Sequence, residues 1–509
     1  MKKLPIGLQT FSEIIENDYI YIDKTDIALN LIKTYKYAFL SRPRRFGKSL
    51  FLDTLKNIFQ GKKELFKGLY IYDKYDFEEY PVIKISWAGS DYSNSKLLEE
   101  KAQEELLTNQ EELKIECDKD KNIFSCFREL IRKSAKKYNK KVVILIDEYD
   151  KPILNELQNP SQAIKNRDFL RGFYEVLKDN DEYIKFAFLT GISKFSKANI
   201  FSGLNMLTDI SLVAKYGNIC GYTQSNIENE FKEYLKDVDL ELFKRYYNGY
   251  NFLKDPIYNP FDVLQFIAND CQFKNYWWKS GNPYFLIELL KKQNYNIPEI
   301  ENIVVGEELL DSFEVEKIQL EVLLFQAGYL TIDKYINNPL YGINEYKLKV
   351  PNLEVQISLN RLFLDYLTNS YVKTDYKVIK ILLEANLESF KNIMTSVFAS
   401  IPYNNYSNNN IASYEGYYAS VFYTYLASIG VDIIAEDVTN AGRIDLTIKI
   451  DKNIYIIEFK VGNDDALNQI KQKNYHQKYL NENKDIYLVG INFDKEKKNI
   501  AKFEWEKVI

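Results

Sequence analysis

A short basic segment between an apolar run and a helical pattern restricts the fold more than any other part of the chain. The segment reads Arg42-Pro43-Arg44-Arg45-Phe46-Gly47-Lys48-Ser49. An apolar run, 37–40, precedes it, and apolar residues at helical spacing follow it from Leu50 to Phe59. A strand, a tight turn that ends in Gly-Lys-Ser and a helix form the arrangement that a phosphate-binding loop requires. The segment therefore predicts an α/β fold that binds a nucleoside triphosphate.

The turn has the residue types that hold phosphate. Gly47 lets the backbone come close, Lys48 can reach the β- and γ-phosphates, and Ser49 can hold Mg²⁺. The free N–H groups at the start of the next helix attract the same anion. The residues predicted to contact the nucleotide here are Arg44, Arg45, Phe46, Gly47, Lys48 and Ser49. Because Arg42 replaces the first glycine of the general motif, a basic surface turn that caps an ordinary helix is the alternative.

An acidic pair at the end of an apolar strand supports the nucleotide interpretation. Residues 142–146 are all apolar and mostly β-branched, as in strands buried on both faces of a parallel sheet. Asp147 and Glu148 follow, at the strand end where ligands bind in such sheets. Asp147 is expected to hold Mg²⁺ and Glu148 to orient and deprotonate the attacking water. The alternative is a core strand that leaves into a polar loop.

The first part of the chain contains further candidate residues. Strands are predicted at 36–40, 82–87, 142–147, 184–190 and near 209–213. One of them lies between the phosphate loop and the Asp-Glu strand, as in ATPases of the additional-strand class. Thr190 or Ser193 is predicted to sense the γ-phosphate, unless both serve the turn at Gly191. Arg167 and Arg171 share a helix face and are candidates for an arginine finger or for ordinary surface residues.

The composition of the chain limits both its possible ligands and its possible cellular locations. The net charge of −5 over 509 residues shows no overall footprint of a nucleic-acid binder. The four cysteines (Cys117, Cys126, Cys220 and Cys271) have no paired spacing, which argues for a reducing compartment and against a zinc site or disulfide scaffold. The single histidine, His476, excludes multi-histidine metal sites. Without a signal peptide or a long apolar span, the expected location is the cytoplasm, with no membrane partner.

A second cluster of charged residues is predicted near the C-terminus. Two strands, 443–450 and 453–460, form a hairpin that brings Asp445 toward Glu458, and period two places Lys460 on the same face as Glu458. Two carboxylates about 4 Å apart repel by about 4 kcal/mol at an effective dielectric constant near 20, so a cation is expected between them. Oxygen ligands suit Mg²⁺ or Mn²⁺, and Glu415 on the preceding helix completes the set. The alternative is an exposed edge hairpin of mixed charge.

The region between these two parts contains a helix followed by a hairpin. We predict a helix at about 316–327, strands at 329–333 and 345–349, a turn at 337–342 and a helix from Leu353. This order resembles a winged-helix module, which could contact DNA or pack as a lid. Near the C-terminus, a helix is predicted at 413–429 with Gly430 after its end, strands near 431–436, 485–491 and 500–505, and a helix around 464–480.

Several long strings together resemble one family, the bacterial AAA-ATPase-like proteins with a C-terminal PD-(D/E)XK nuclease-superfamily domain. The strings that carry the resemblance are Tyr21-Ile22-Asp23-Lys24-Thr25, the segment 41–49, Leu145-Ile146-Asp147-Glu148-Tyr149-Asp150-Lys151-Pro152, the segments 189–196 and 201–205, Tyr258-Asn259-Pro260-Phe261, Gly442-Arg443-Ile444-Asp445 and Ile457-Glu458-Phe459-Lys460-Val461. They extend over nearly the whole chain, and within this family Arg42 is an ordinary residue.

The resemblance implies a fold, a set of domains and site residues. It implies an α/β chain with a P-loop NTPase parallel sheet at 1–215, a helical and winged-helix-like lid at 216–370, and a restriction-endonuclease-like α/β domain at 371–509. It further implies ATP binding by Lys48, Ser49 and Asp147, and a nuclease-like metal site at Asp445, Glu458 and Lys460. Glu415 matches the acidic helix residue of that superfamily, and Gln469 matches a polar residue on a later helix.

Three functions remain open from the sequence. The first is an ATPase coupled to a metal-dependent nuclease that acts on nucleic acid, in particular DNA. The second is a nucleotide-dependent signalling or interaction protein whose C-terminal domain binds nucleic acid without cutting it. The third is an ATPase with a structural nuclease-like tail. The intact set of Asp445, Glu458 and Lys460 favours the first. Assembly into a homo-oligomer is compatible with all three.

Overall fold

The computed structural model describes the chain in two compact units. The described residues are 1–118, 121–194, 206–280, 303–306, 319–368, 376–402, 415–462 and 464–508. The first unit holds those up to Ser280 together with Val304–Asn352, and the second contains those from Leu353 onward. Within these ranges, each helix is too short or too polar to cross a bilayer. The division into domains at 1–215, 216–370 and 371–509 stays a prediction.

A five-stranded parallel sheet forms the centre of the first unit. Its strands are β1 (Tyr37–Ser41), β2 (Val82–Ser86), β3 (Val142–Asp147), β4 (Ile184–Gly191) and β5 (Thr208–Asp209), in the order β2-β3-β4-β1-β5. Every residue of β3 is buried, as its continuous apolar sequence predicts. Because β4 lies between β1 and β3, the phosphate loop and the Asp-Glu pair are one strand apart. The first four predicted strands are confirmed to within one residue, whereas the fifth is shorter and ends at Asp209.

Helices pack around this sheet, and two of them begin at an asparagine cap. They are α1 (Phe11–Glu16), α2 (Thr25–Thr34), α3 (Lys48–Phe59), α4 (Ser95–Leu113), α5 (Ile123–Tyr138), α6 (Lys151–Leu154) and α7 (Pro160–Lys178). The side chains of Asn94 and Asn122 accept backbone N–H groups at the first turns of α4 and α5. The start of α3 differs, because Gly47 has no side chain that could accept those N–H groups.

The rest of the first unit is mainly helical, with two small antiparallel sheets. Its elements are β6 (Tyr222–Thr223), α8 (Gln224–Glu230), α9 (Leu240–Tyr247), β7 (Ile257–Tyr258), α10 (Pro260–Ala268), α11 (Tyr276–Lys279), β8 (Val304–Gly306), α12 (Leu320–Ala327), β9 (Thr331–Asn338) and β10 (Ile343–Lys349). The predicted helix and hairpin are therefore present, with longer strands than expected. Residues 316–318 lie outside the described residues. Gly328 ends α12 with φ +92 and lies against Pro43.

The second unit has helices packed on a mixed five-stranded sheet of order β11-β12-β13-β14-β15. Its elements are α13 (Leu353–Thr368), α14 (Lys377–Leu383), α15 (Leu387–Ala399), α16 (Glu415–Ala427), β11 (Asp432–Thr439), β12 (Gly442–Ile450), β13 (Asn453–Val461), α17 (Ala466–Lys473), a 3-10 helix (Tyr475–Glu482), β14 (Asp485–Asp494) and β15 (Asn499–Lys507). Only β13 and β14 pair in parallel. The predicted helix at 464–480 divides at Asn474, whose φ is +51. Gly430, with φ +81, follows α16 as expected, while residues 413 and 414 lie outside the described residues.

The expectation that no two cysteines pair is wrong for Cys117 and Cys126, which form a disulfide. The chain leaves the end of α4 and returns at the start of α5, so the two Cα atoms come within 5.3 Å. A separation of nine residues is not a recognised motif, and this proximity arises only from the packing of the two helices. Cys220 and Cys271 are free thiols. The cysteines therefore no longer support a reducing compartment.

Candidate functional sites

The phosphate loop turns between β1 and α3 as the sequence predicts. Gly47 has φ +92, in the left-handed region that glycine adopts without strain. Among the described residues, nothing lies within 4 Å of the place where a Cβ would stand, so the backbone conformation rather than crowding selects glycine here. The loop leads directly into the first turn of α3, where backbone N–H groups and the helix dipole favour an anion.

Lys48 is buried beneath the loop. Its ammonium donates to the carbonyl oxygens of Arg42 at 2.8 Å and Pro43 at 3.0 Å. Burial lowers the pKa of Lys48, and the nearby Asp147 partly offsets that effect. The positive charge therefore lies at the centre of the turn, where neutral carbonyl groups hold it.

Arg42, at the position of the missing glycine, stabilises the loop from below. Its guanidinium donates to the carbonyl oxygens of Ser41 and Ser211, each at 2.8 Å, and of Tyr216 at 3.1 Å. The same group lies 3.9 Å from the ring centre of Phe252. Burial lowers the pKa of Arg42 to about 10. Arg42 is thus a structural link between the loop and a later part of the chain, and no local sequence signal pointed to its partners.

Asp147, at the carboxyl end of β3, is hydrogen-bonded to the neighbouring strand β4. Asp147 Oδ1 accepts hydrogen bonds from Thr190 Oγ1 at 2.6 Å and from the Glu148 backbone N–H at 3.1 Å. Ser193, the other proposed sensor, donates through its hydroxyl to Asp150 at 2.6 Å. Burial raises the pKa of Asp150, an effect that its hydrogen bonds from Ser193 partly offset. Of the two proposed sensors, Thr190 is therefore the one that contacts Asp147.

A cavity of about 410 Å³ is lined by the phosphate loop and by Glu148, whereas Asp147 and Thr190 are not among its lining residues. Its wall includes Arg44, Arg45, Gly47, Lys48, Ser49, Glu148, Lys151, Tyr222 and Phe261, together with Gly7, Leu8 and Gln9 from the N-terminus. This volume lies in the range of small-molecule sites. Phe46, whose contact with the nucleotide stays a prediction, packs against Tyr250 with the ring centres 4.8 Å apart. Lys151 was not predicted to line a site, although it lies only three residues after Glu148 in the sequence.

The arginines near the cavity differ in their surroundings. The guanidinium of Arg44 lies 5.1 Å from the ring centre of Trp277, and that of Arg45 lies 5.1 Å from that of Phe261. Arg167 lies 3.3 Å from Asp168 on α7, and Arg171 lies 3.6 Å from the same carboxylate. The candidates for an arginine finger thus form ion pairs on their own helix.

In the second unit, a distortion of the sheet precedes the acidic cluster. Glu436 in β11 has φ +51, and the hydrogen-bonded ladder between β12 and β13 ends at Leu446 and Ile457. Asp445 is the next residue of β12, and its Oδ2 accepts the backbone N–H of Phe459 at 2.7 Å. Where β12 and β13 separate, the Asp445 side chain thus accepts a backbone N–H group of β13 that is no longer paired in the regular ladder. Regular alternation along the strands did not predict this irregularity.

The structure brings together the four charged residues predicted for this site. Lys460 Nζ lies 3.2 Å from Glu415 Oε1 and 3.6 Å from Glu458 Oε1. Gln469 Nε2 also donates to Glu458 Oε1. The second oxygen of Glu458, Oε2, is buried and has no hydrogen-bond partner among the described residues. A buried carboxylate oxygen of this kind is costly unless a proton or a cation meets it.

The electrostatics of the cluster favour an added positive charge. Burial raises the pKa of Asp445 to about 6, although the Phe459 N–H opposes the shift. Burial, followed by the charge of Asp445, raises the pKa of Glu458 to about 8. Burial alone would lower the pKa of Lys460, but Glu415, Asp445 and Glu458 together raise it. The oxygen donors and the unpartnered Oε2 therefore fit a divalent cation.

The acidic side chains of this cluster do not form a complete metal-binding site. In the described part of the chain, no group of three or more histidine, cysteine or acidic side chains is placed to hold a metal ion. The Lys460 ammonium instead contacts both Glu415 and Glu458. Any bound cation must therefore share these carboxylates with Lys460 or displace it.

Comparison with known proteins identifies both units. Residues 5–201 match a family model described as a predicted AAA-ATPase, and residues 413–503 match one described as the PD-(D/E)XK nuclease superfamily. An uncharacterized protein in the vnfD 5' region of Azotobacter chroococcum mcd 1 is 43% identical over 516 residues, which cover 100% of this chain and 99% of that protein. The chain therefore belongs to the AAA-ATPase-like family whose members carry a C-terminal domain of the PD-(D/E)XK nuclease superfamily.

Proposed function

We propose that the first unit binds and hydrolyses ATP. The main support is the cavity at the carboxyl edge of the parallel sheet, which is lined by both the Gly-Lys-Ser turn and Glu148. Ligands of open α/β sheets bind at this edge. Strand β4, with Thr190, lies between the two contributing strands, as in ATPases of the additional-strand class.

Each residue has a physical role in this proposal. Lys48 and the N–H groups of α3 hold the phosphates, and Ser49 and Asp147 hold Mg²⁺. Bound Mg²⁺ neutralises charge on the phosphate oxygens. Thr190 fixes the Asp147 carboxylate by a 2.6 Å hydrogen bond. Glu148 accepts the proton of the attacking water while that oxygen bonds to the γ-phosphorus and the bond from phosphorus to the ADP oxygen breaks.

Two substitutions separate nucleotide binding from hydrolysis. Lys48→Ala should lose ATP binding, because it removes the buried cation that the loop carbonyls hold at the centre of the turn. Glu148→Gln should still bind ATP and lose turnover, because an amide cannot accept the proton. Binding is measured by calorimetry and turnover by phosphate release from the purified full chain. Unchanged turnover in both variants would remove the ATPase assignment.

For the second unit we propose cleavage of nucleic acid, DNA in particular, that depends on Mg²⁺ or Mn²⁺. The main support is Glu458 Oε2, a buried acceptor without a partner among the described residues, beside Asp445 and Lys460. Glu415, Asp445 and Glu458 would hold the cation, which polarises a phosphoryl oxygen when bound. Lys460 then holds a phosphate oxygen of the backbone, and Gln469 orients Glu458.

The cleavage test uses linear DNA, circular DNA and RNA, with either metal, in the presence and absence of ATP. Asp445→Asn removes one negative charge with little change in shape and should abolish cleavage while ATP hydrolysis continues. Glu458→Gln should behave in the same way, and Lys460→Ala should slow cleavage. Cleavage that persists in Asp445→Asn would assign the activity to another site or to a contaminant.

A second function has one observation in its favour. Lys460 already pairs with Glu415 and Glu458, so the cluster is partly neutralised by the chain itself. This arrangement suits a nucleotide-dependent interaction protein whose C-terminal domain binds nucleic acid without cutting it. DNA binding that is equal in the native chain and in Asp445→Asn, with no cleavage in either metal, would support this alternative. A cytoplasmic location and self-association remain further proposals.

A further inference from the structure

One basic side chain of the ATP cavity has no role in the proposed hydrolysis. Lys151 begins α6, and its backbone N–H donates to the Glu148 carbonyl oxygen at 3.0 Å. Its ammonium lies 2.6 Å from Glu148 Oε2. Both side chains line the cavity together with Lys48 and Ser49. The residue proposed to activate water is thus bound to a cation within the same cavity.

This ion pair opposes the role of Glu148. While Glu148 Oε2 accepts a hydrogen bond from the Lys151 ammonium, that oxygen is not available to accept a proton from water. The backbone of Glu148 has φ +52, and its N–H donates a hydrogen bond to Asp147. Of the two side chains in the ion pair, that of Lys151 is therefore the one that can move more easily. The long lysine stem can move its charge without moving the backbone.

The ion pair between Lys151 and Glu148 is also weak enough for Lys151 to leave Glu148 and bind another anion. Its side chains are 33% and 30% exposed, and partly exposed ion pairs contribute little net free energy. The γ-phosphoryl group of ATP carries more negative charge than one carboxylate and offers three oxygen acceptors. ATP entering the cavity therefore competes with Glu148 for the Lys151 ammonium, whereas ADP lacks the competing group.

We propose that Lys151 binds the γ-phosphate of ATP and thereby releases Glu148 to accept a proton from water. Lys151 is then a positioning residue that makes the water-activating group available only when a triphosphate is bound. This inference rests on the proposed ATP hydrolysis. It predicts that the Lys151–Glu148 contact remains with ADP and is lost with ATP.

The test measures affinities for adenylyl imidodiphosphate and for ADP, each with Mg²⁺, by calorimetry on the full chain. Lys151→Ala should weaken binding of the triphosphate analogue about tenfold and of ADP less than about twofold, as expected for the loss of one charged hydrogen bond. Lys151→Arg should restore most of the difference. Glu148→Gln should bind the analogue more tightly than the native chain, because no ion pair has to break.

The double variant of Lys151→Ala and Glu148→Gln isolates the coupling between the two residues. The gain from Glu148→Gln should disappear when Lys151 is absent. Lys36→Ala provides a matched control, because Lys36 also lies 2.6 Å from a carboxylate, that of Asp181, and is 35% exposed. Lys36 directly precedes β1, at the opposite end of that strand from the phosphate loop, so its loss should leave both affinities unchanged.

Two results would overturn the inference while leaving the ATPase proposal intact. One is an equal loss of affinity for both nucleotides in Lys151→Ala. The other is a gain from Glu148→Gln that persists without Lys151. If the native chain binds neither nucleotide, the ATPase proposal itself fails, and the inference fails with it.

Discussion

The two candidate sites balance their charges in opposite ways. In the first, the buried cation Lys48 is held by loop carbonyls, and Asp147 accepts hydrogen bonds from Thr190 and from the backbone. In the second, Asp445 and Glu458 repel each other, and one buried oxygen of Glu458 has no partner among the described residues. These polar groups of the first site are thus satisfied by the chain, whereas in the second three carboxylates share the one ammonium of Lys460 and one buried oxygen is left without a partner among the described residues.

Because of this difference, substitutions at the two sites should change the stability of the fold in opposite directions. Removing a polar group from the first site should destabilise the fold, because its partners become unsatisfied. Neutralising Asp445 or Glu458 in the second should stabilise the fold, because their mutual repulsion and the cost of burying their charges both fall. The four predictions below test this contrast, beginning with the largest expected effect.

Arg42→Ala should lower the free energy of unfolding of the first unit by about 3 kcal/mol, since buried carbonyl acceptors lose their donor and a cavity opens beneath the phosphate loop. Urea denaturation followed by tryptophan fluorescence measures the change. Arg45→Ala is the matched control, because Arg45 lies in the same loop but is exposed. Similar stabilities for the two variants would show that the Arg42 hydrogen bonds contribute little.

Glu458→Gln should raise the stability of the second unit at pH 8 by about 2 kcal/mol, since it removes a buried charge. The pKa of Glu458 rises from 4.5 to about 8 on folding, so the folded state binds the proton more tightly. Native stability should therefore fall as pH increases between these values, and the variant should show a smaller fall. Denaturation across this pH range measures both effects. Glu504→Gln, on the outer strand β15, should leave the pH dependence as in the native chain.

Mg²⁺ should stabilise the second unit at pH 8 by about 1.4 kcal/mol at a concentration near ten times its dissociation constant. The cation meets Glu458 Oε2 and reduces the repulsion between the two carboxylates. Thermal unfolding without nucleotide, with and without Mg²⁺, measures this gain. Asp445→Asn should remove most of it, and an equal gain in that variant would place the cation elsewhere.

Thr190→Val should have the smallest effect, a loss of about 1 kcal/mol in stability, because Asp147 keeps the hydrogen bond from the Glu148 N–H. Turnover of ATP should fall while the affinity for ADP stays near the native value, since Thr190 acts through Asp147. Denaturation, phosphate release and calorimetry measure the three quantities. Ser193→Ala, which removes a bond to Asp150, should leave turnover closer to the native rate.

The sequence alone was sufficient to predict features that depend on neighbouring residues. The apolar run of β3, the left-handed glycine before Lys48 and the hairpin with Glu458 all follow from neighbouring residues, and the structure contains each of them. The sequence left Thr190 and Ser193 open as the polar residue at the end of β4, and only the structure shows that Thr190 is the one bonded to Asp147.

Features that depend on distant residues could not be predicted in this way. Arg42 finds its carbonyl partners at Ser211 and Tyr216, and no periodicity links those positions. The disulfide between Cys117 and Cys126 depends on how two helices pack. The left-handed conformation of Glu436 interrupts β11, and glutamate gives no signal for such a conformation. These features arise from tertiary packing, which a single sequence does not display.

The link made by Arg42 has a consequence for how the protein is made. Translation proceeds from the N-terminus, so the phosphate loop leaves the ribosome well before Ser211, Tyr216 and Phe252, which hold the Arg42 guanidinium in the finished fold. Contacts between such distant residues form late, because a long loop must close first. The Arg42 guanidinium therefore lacks these partners during early synthesis. On the ATPase proposal, the chain should become able to bind ATP only after the later part of its first unit has emerged.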